Sequence, residues 1–377
     1  MSPNTPTSSL VTLIITTSPT PSAPSTELLS AIILSFRKHC PALVECPVVV
    51  VLDTYDRIAP QARLKKGQVT PEGAANFELY KQNAKDLVVQ EYCCAAARSG
   101  GPAAVELRVS EGEAEYGSGA YLREQTNIPL TITRAEDGRV TFIEPQQRLG
   151  FGLAVRSALR LTQTPYVWVQ QHDWTLVTDI PLGPLLDVMQ DSEPAPESDD
   201  QKHPERPPVK YVCFPSVRNL SYATSDHVRP FPVLKSLTSE LKREFHSPAR
   251  PPDTSIPLTP LFFWHDKPHV ASTAHYLSQV FPSRKAMLRG AFIEDTVGQR
   301  ARTEMKEGGY ESWSEWATWL YYPGGGKQMS LRHLKGRTWR GTEAELEQKL
   351  EWMRLNQEAA PSGASKRTPD EVLEVSS

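Results

Sequence analysis

The N-terminal part of the chain alternates short apolar runs with a segment that favours a helix. Val11–Thr17 and residues 47–53 are aliphatic or β-branched almost throughout, which is typical of strands buried on both faces. Between them, Ser25 or Thr26 can cap a helix that runs to about His39. Strands of this kind, separated by helices, predict a parallel sheet covered by helices.

The same alternation continues along the chain. We expect further strands at residues 139–143, 166–170, 210–214 and 261–264, and helices at residues 72–97, 150–161, 182–190, 292–306 and 342–355. Residues 98–137 are polar and rich in Gly, which predicts a long loop or an excursion from the fold. The 33 prolines indicate many turns and two Pro-rich insertions, at residues 191–208 and 248–257. The predicted fold class is α/β, with a Rossmann-like, mostly parallel sheet flanked by helices.

Composition divides the chain into five parts. Residues 1–9 are expected to be disordered, and residues 341–377 to form a charged helix followed by a disordered tail. The acidic, Pro-rich loop at residues 191–208 separates a first half, residues 10–190, from a second half, residues 209–340.

Charge and cysteine content exclude several classes of protein. The 377 residues carry a formal net charge of −3, which argues against a general polyanion-binding or nucleic-acid-binding protein but allows a local basic pocket. No apolar run approaches the ~20 residues of a membrane helix, and because the first cation is Arg37, no secretory signal is expected. The five cysteines lack zinc-like spacing and are interpreted as reduced thiols of a cytoplasmic protein.

Polar residues stand where four of the predicted strands end. Ligands of open α/β sheets bind at the carboxyl ends of the strands, so these residues are the first candidates for a site. They are Thr17 after the first strand, Asp53 after the second, Arg148 and Gly150 after the third, and His172 with Asp173 after the fourth. Neither a Walker loop nor a proper G-x-G-x-x-G motif is present.

Two of these strand ends allow two interpretations each. Asp53 could accept hydrogen bonds from a ribose or a base, or it could form a turn with the residues that follow it. Gly150 and Gly152 could let backbone N–H groups approach a phosphate at the start of a helix, with Arg148 adding charge. The alternative is an ordinary loop-to-helix turn.

The end of the fourth strand offers two potential metal ligands, His172 and Asp173. This combination suits Mg²⁺ or Mn²⁺, whose coordination shell the phosphates of a substrate would complete. The alternative is that Asp173 caps the following turn beside a structural histidine.

Further candidates lie in the second half. Glu294 and Asp295 open a predicted helix, where they could stabilise its dipole or supply a general base. His333 and Arg337 follow a glycine-rich segment and could act near a pyrophosphate.

Aromatic residues concentrate in the second half. Every third residue from Trp313 to Trp319 is tryptophan, which we interpret as one helix face in an aromatic core, with a sugar-stacking groove as the alternative. Trp264, His265 and Asp266 are a second candidate for such an acceptor groove.

In their order and spacing, these segments resemble the GT-A glycosyltransferases, in particular inverting, family-2-like enzymes that use nucleotide-diphosphate sugars. The resemblance covers roughly residues 10–340. It implies that residues 10–190 bind the nucleotide sugar and that residues 209–340 hold the acceptor and the catalytic base.

The resemblance also implies roles for individual residues. Thr17, Asp53, Arg148, Gly150, Gly152 and Arg337 would contact the nucleotide sugar; Asp173, with His172 and His333, would bind Mn²⁺ or Mg²⁺; and Asp295, with Glu294 beside it, would match the catalytic base. One departure is that the family's usual Asp-x-Asp is replaced by His172-Asp173-Trp174, which contains a single acid.

The implied reaction moves a sugar from a nucleotide-diphosphate donor to a hydroxyl of a glycan, protein or small molecule by inverting single displacement. One alternative is a non-catalytic nucleotide-sugar or carbohydrate-binding protein with a GT-A-like fold. Another is a sugar-phosphate nucleotidyltransferase, which would normally need a basic, Gly-rich loop that Thr16–Pro21 does not provide. We expect neither a nucleic-acid partner nor an integral membrane segment.

Overall fold

A computed structural model of the chain describes residues 5–93, 105–117, 127–193, 207–247 and 254–359. The predictions for residues 1–4, for residues 194–206 and 248–253 of the Pro-rich insertions, and for the tail at 360–377 therefore lie outside the described residues, as does Cys94.

The described residues form strands in both halves of the chain. They are β1 (Val11–Thr17), β2 (Val48–Leu52), β3 (Arg57–Ile58), β4 (Gln68–Val69), β5 (Leu107–Glu115), β6 (Asn127–Ala135), β7 (Val140–Pro145), β8 (Tyr166–Gln171), β9 (Trp174–Leu176), β10 (Tyr211–Cys213), β11 (Arg243–His246), β12 (Ser255–Pro260), β13 (His269–Ser272), β14 (Thr318–Tyr321) and β15 (Leu331–His333).

Helices precede, follow or separate several of these strands. They are α1 (Thr7–Leu10), α2 (Glu27–His39), α3 (Ala42–Glu45), α4 (Pro71–Tyr92), α5 (Phe151–Leu159), α6 (Leu182–Asp191), α7 (Pro232–Leu241), α8 (Thr273–His275), α9 (Gln299–Trp316) and α10 (Thr342–Ala359). A π-helical turn, Glu294–Gly298, leads directly into α9. Among the described ranges, no helix combines the length and the apolar composition needed to span a bilayer.

Eleven of the described strands form one sheet, in the order β11-β12-β14-β10-β13-β8-β1-β2-β7-β6-β5. The central strands β7, β2, β1 and β8 are parallel, as are β10 and β14, whereas the other neighbouring pairs are antiparallel. The α/β class is confirmed, and the sheet is mixed, with its main parallel block at the centre. Strands from both halves of the chain contribute to it.

The parallel centre of the sheet is the most deeply buried part of the fold. All seven residues of β1 and all five of β2 are buried, as their aliphatic and β-branched sequences predicted. Helix α2 begins and ends within one residue of the predicted bounds, and α5 is buried along its whole length. This rigid centre fixes the positions of the loops that leave its carboxyl edge.

The predicted long loop at residues 98–137 is wrong for the described part of that segment. There, β5 and β6 form an antiparallel hairpin that extends the sheet beyond β7. In β6, the buried Ile128, Leu130 and Ile132 alternate with partly buried residues, which is the pattern of a strand with one face in the core. Strand β5 lies mostly exposed at the sheet edge, so its sequence contains few apolar residues that would indicate a strand.

Two further predictions concern the second half. Residues 261–264, expected to form a strand, lie outside any strand, because β12 ends immediately before them at Pro260. The helix expected to stop near Gly308 is interrupted there, because Gly309 adopts a non-helical conformation with a φ of 59°, and a second helical segment follows to Trp316. The tryptophans from 313 to 319 are fully buried, which confirms the aromatic core, although Trp319 belongs to β14.

The start of α5 packs directly on a segment of the second half. Gly150 has a φ of +81°, and a Cβ there would lie 2.4 Å from the Cα of Gly290. The backbone N–H of Gly290 donates to the Leu149 carbonyl at 2.7 Å, and the N–H of Gly152 donates to the Ala291 carbonyl at 3.1 Å. The two backbones can approach this closely only because position 150 has no side chain.

Gly150→Ala should therefore reduce the free energy of unfolding much more than Gly138→Ala. Both glycines have positive φ, so each substitution brings a backbone strain of about 1–3 kcal/mol, but a Cβ at position 138 meets nothing within 4 Å. Urea unfolding of the two variants would measure the difference. Equal losses would show that the contact with Gly290 does not constrain the fold.

Candidate functional site

A cavity of about 640 Å³ lies at the carboxyl ends of β1, β2 and β8. The chain runs from β1 outward to β2 and β7 and then crosses back to β8 on the other side of β1, so the strand order reverses between β1 and β8. Ligands of open α/β sheets bind at such a reversal point. Thr17, Asp53 and Asp173, three of the predicted strand-end residues, line the cavity.

Asp53 is already bonded within the protein. One carboxylate oxygen accepts the backbone N–H groups of Leu149 at 2.7 Å and Thr54 at 3.0 Å, and the other accepts that of Gly150 at 2.9 Å. Burial raises the pKa of Asp53 to about 6, although these N–H groups act to lower it. Asp53 thus fixes the turn into α5, and a nucleoside would have to share its oxygens.

Most of the other first-half residues predicted to bind the nucleotide sugar also have hydrogen-bond partners within the protein. The Thr17 hydroxyl bonds to the Tyr80 hydroxyl at 2.7 Å. Arg148 lines the cavity and donates to Asp56 at 3.2 Å. The N–H of Gly150 is taken by Asp53, and Gly152 does not line the cavity. The glycines therefore fit the loop-to-helix turn and close packing better than a phosphate-binding loop.

Asp173 is the acid at the end of β8, and His333 of β15 reaches it from the second half. One oxygen of Asp173 accepts from His333 Nε2 and from the Gly336 backbone N–H, both at 3.0 Å. Burial acts to raise the pKa of Asp173, but these two donors and the neighbouring His172 outweigh it and bring the pKa down to about 2. The other oxygen, Oδ1, is buried without a hydrogen-bond partner.

His172 lies beside Asp173, and burial lowers its pKa. Its Nδ1, like Asp173 Oδ1, is buried without a partner. One carboxylate oxygen and one imidazole nitrogen of this kind are donor types that Mn²⁺ accepts. The described residues nevertheless contain no group of three or more His, Cys, Asp or Glu side chains placed to hold a metal ion. Two side-chain donors would leave the rest of a Mn²⁺ or Mg²⁺ coordination shell to the phosphates of a bound substrate and to water.

Acidic side chains from the second half also line the cavity, and we call this part of its lining the acidic wall. Asp266, Glu294 and Asp295 all contribute to the lining. The backbone N–H of Asp266 donates to Glu294 Oε2 at 3.4 Å, and the N–H of Glu294 donates to Asp266 Oδ1 at 3.3 Å. These reciprocal contacts hold the loop before β13 against the π-helical turn. Asp295 is exposed.

The environments of Asp266 and Glu294 drive their pKa values apart. Asp266 is 3% exposed, and its burial, followed by repulsion from Glu294, raises its pKa well above the usual range. Burial acts to raise the pKa of Glu294 as well, but the nearby His265, the backbone N–H of Asp266 and Lys267 together outweigh it and lower that pKa. Such separation of two neighbouring carboxyl groups is common where one serves as an acid and the other as a base.

Two of the three predicted acceptor-binding residues do not line the cavity. Trp264 is fully buried and packs on Tyr211, with ring centroids 4.2 Å apart, and on Tyr276, at 4.9 Å. No face of its ring is open to a sugar, so Trp264 belongs to the core. His265 packs on Phe263 and, with a pKa lowered to about 4 by burial, is neutral at ordinary pH.

Arg337, which the sequence predicted as a site residue, has its guanidinium 5.3 Å from the Phe292 ring centroid. Several other cations that line the cavity were not predicted as site residues. Lys65, Arg218, Lys267 and Lys335 line the same cavity. Lys267 donates to Ser216 at 3.0 Å and lies 6.0 Å from the Trp174 ring. Lys335 could have been suggested by its place between His333 and Arg337, whereas nothing in the local sequence indicates Lys65.

No protein-family model matches the chain, and no curated protein is significantly similar to it. The functional interpretation therefore depends on the cavity itself.

Asp266→Asn should stabilise the protein increasingly as the pH rises. A folded-state pKa raised above that of the unfolded chain means that the wild-type protein is most stable below the unfolded Asp pKa of about 3.9 and loses stability as the pH rises above it. Asparagine mimics the protonated acid and removes this loss. The measurement is urea unfolding of both proteins from pH 4 to pH 8.

A stability difference that stays constant over this pH range would show that Asp266 ionises like an ordinary carboxyl group in the folded protein.

Proposed function

We propose that the protein transfers a sugar from a nucleotide-diphosphate donor to an acceptor hydroxyl, with inversion at the anomeric carbon. The observation that supports this most strongly is that Asp173 and Asp295, far apart in the chain, line one cavity at the reversal point of the sheet. A cavity lined by two acids and several cations suits a reaction that expels a phosphate and removes a proton.

The donor would lie along the ends of β1, β2 and β8. Lys65, Lys335 and Arg337 reach this part of the cavity and would neutralise the charge that develops on the departing diphosphate. Thr17 and Asp53 line the same region and would be nearest to the nucleoside. Mn²⁺ or Mg²⁺ beside Asp173 would add to this neutralisation.

The acceptor would lie against the acidic wall. Asp295 takes the proton of the acceptor hydroxyl while the hydroxyl oxygen of the acceptor forms a bond to the anomeric carbon. The bond from that carbon to the diphosphate oxygen breaks at the same time, and its electron pair leaves with the diphosphate. Glu294 is held by His265 and Asp266, so it would orient the wall beside the base.

A second candidate is a protein that binds a nucleotide sugar or carbohydrate without catalysis. The specific observation that favours it is that one oxygen of Asp173 is bonded to both His333 and Gly336, which is how a structural acid is held. The two functions differ in whether a bound nucleotide sugar is consumed, by transfer or by slow hydrolysis.

Donor binding can be tested by thermal unfolding with a panel of nucleotide diphosphates, each with and without Mn²⁺. A ligand present at 100 times its Kd should add about 2.7 kcal/mol of stability. Asp173→Asn should weaken this shift if the acid contributes to the donor site. The matched control is Asp226→Asn, which removes an exposed carboxylate paired with Arg229 outside the cavity. If no nucleotide diphosphate shifts the wild-type protein, the donor class is wrong.

Catalysis can be tested separately with Asp295→Asn. Without the base, the consumption of a nucleotide sugar that stabilises the wild-type protein should fall by about 10²–10⁴-fold. The thermal shift caused by the nucleotide should stay unchanged, since Asp295 is proposed to contact the acceptor and not the donor. Full turnover by this variant would exclude Asp295 as the base, and no turnover by the wild-type protein with any donor that binds would favour the non-catalytic candidate.

A further inference from the structure

Two basic segments border the mouth of the cavity. Residues 57–66 and residues 332–340 together contain eight Lys and Arg residues and no acid, and we call them the basic rim. Both segments belong to the same opening, because Lys65 from the first and Lys335 and Arg337 from the second line the cavity.

The rim contains more cations than a ligand inside the cavity can contact. Arg57, Arg63, Lys66 and Arg340 are exposed and do not line the cavity. Within the described part of the chain, none of the four has an acidic partner at ion-pair distance. Uncompensated cations on one surface attract a partner that is itself extended and negatively charged.

The basic rim differs in charge from the rest of the protein. The rim holds eight of the 41 Lys and Arg residues, which leaves 33 (41 − 8) against 44 acidic residues in the rest of the chain. An anionic surface would therefore attract the rim and repel the remainder, so the protein would approach it with the cavity mouth first.

Exposed aliphatic side chains accompany the first segment of the rim. Ile58 lies within it and is 53% exposed, and Leu288 is 47% exposed. Leu288 directly precedes Arg289, and Arg289 forms an ion pair with Asp56, which stands two residues before Ile58. Cations beside exposed aliphatic groups are typical of surfaces that bind the headgroup region of anionic membranes.

The same surface fits a nucleic acid less well. Single-stranded nucleic acid is bound largely by stacking of bases on aromatic rings. Among the described residues, the large apolar side chains that are exposed include no Phe, Tyr or Trp.

From these observations we propose that the basic rim docks the protein on a membrane surface rich in anionic lipid, with the cavity mouth facing the headgroups. This docking does not depend on the proposed sugar transfer, although it would bring the cavity to an acceptor carried at the membrane.

Co-sedimentation with vesicles tests the proposal. The wild-type protein should bind vesicles of phosphatidylcholine mixed with phosphatidylserine, should not bind phosphatidylcholine alone, and should be released by salt, which screens the attraction. The triple variant R57Q/R63Q/K66Q should bind roughly 100-fold more weakly, because each cation near such a surface contributes about fivefold in affinity.

The matched control is K38Q/K235Q/K349Q, which removes the same charge from three exposed lysines on α2, α7 and α10. It should bind the mixed vesicles like the wild-type protein. Equal weakening by both triple variants would mean that net charge alone drives binding and would overturn the proposal, as would binding to a single-stranded RNA but not to the vesicles.

The nucleotide-induced thermal shift keeps the two proposals apart. R57Q/R63Q/K66Q should retain the wild-type shift, since none of the three residues lines the cavity. Loss of vesicle binding with an unchanged shift supports a docking surface separate from the ligand site. Loss of both together would show that the three residues act on the cavity and would contradict that separation.

Discussion

The burial of β1 is the constraint on which the rest of the site depends. All seven of its residues are buried, and β2 and β8 pair with it in parallel on either side. Three parallel strands must end at the same edge of the sheet. Polar side chains at those ends, such as Thr17, Asp53 and Asp173, therefore meet at one opening, and the reversal of strand order between β1 and β8 leaves the space in which they meet.

The cavity contains two buried acids, and their environments shift their pKa values in opposite directions. Asp173 faces His333 and a backbone N–H, which favour its ionised form strongly enough to overcome burial. Asp266 faces Glu294 instead, so burial and repulsion both favour its protonated form. The surroundings of Asp173 and the acidic wall therefore differ electrostatically. A phosphate leaving group and an acceptor hydroxyl need such different surroundings, which is the physical reason for the proposed placement of the donor beside Asp173 and the acceptor beside Asp295.

The second half of the chain completes the opening formed by the first. Its backbone meets the start of α5 at Gly150 and Gly290, and His333 reaches Asp173 through the short pairing of β15 with β9. The acidic wall and much of the basic rim also come from this half. The cavity thus exists only where the two halves meet, and the charges at its mouth can act on a surface outside the protein while those inside act on a ligand.

The local sequence pattern was sufficient to predict the parallel centre of the sheet, because β1, β2 and β8 are buried and consist mostly of apolar or β-branched residues. The pattern was also sufficient to predict which polar residues lie near the cavity, since the residues that directly follow a strand lie at the edge of the sheet. It failed for β5, an exposed edge strand whose pairing with β6 depends on residues 12 or more positions away. It failed again for Trp264, which has the composition of a sugar-stacking residue but lies within the aromatic core.

The sequence by itself therefore determined the α/β class, the central strands and the acids at their ends, because these follow from hydrophobic periodicity and from chain direction. Only the tertiary structure decided which side chains already have partners. The N–H groups of Gly150 and Gly152 are used within the protein, and Lys65, Lys267 and Arg337 meet at one cavity although no local pattern connects them. Hydrogen-bond partners and cavity walls come from residues distant in the chain, and their meeting is fixed by packing.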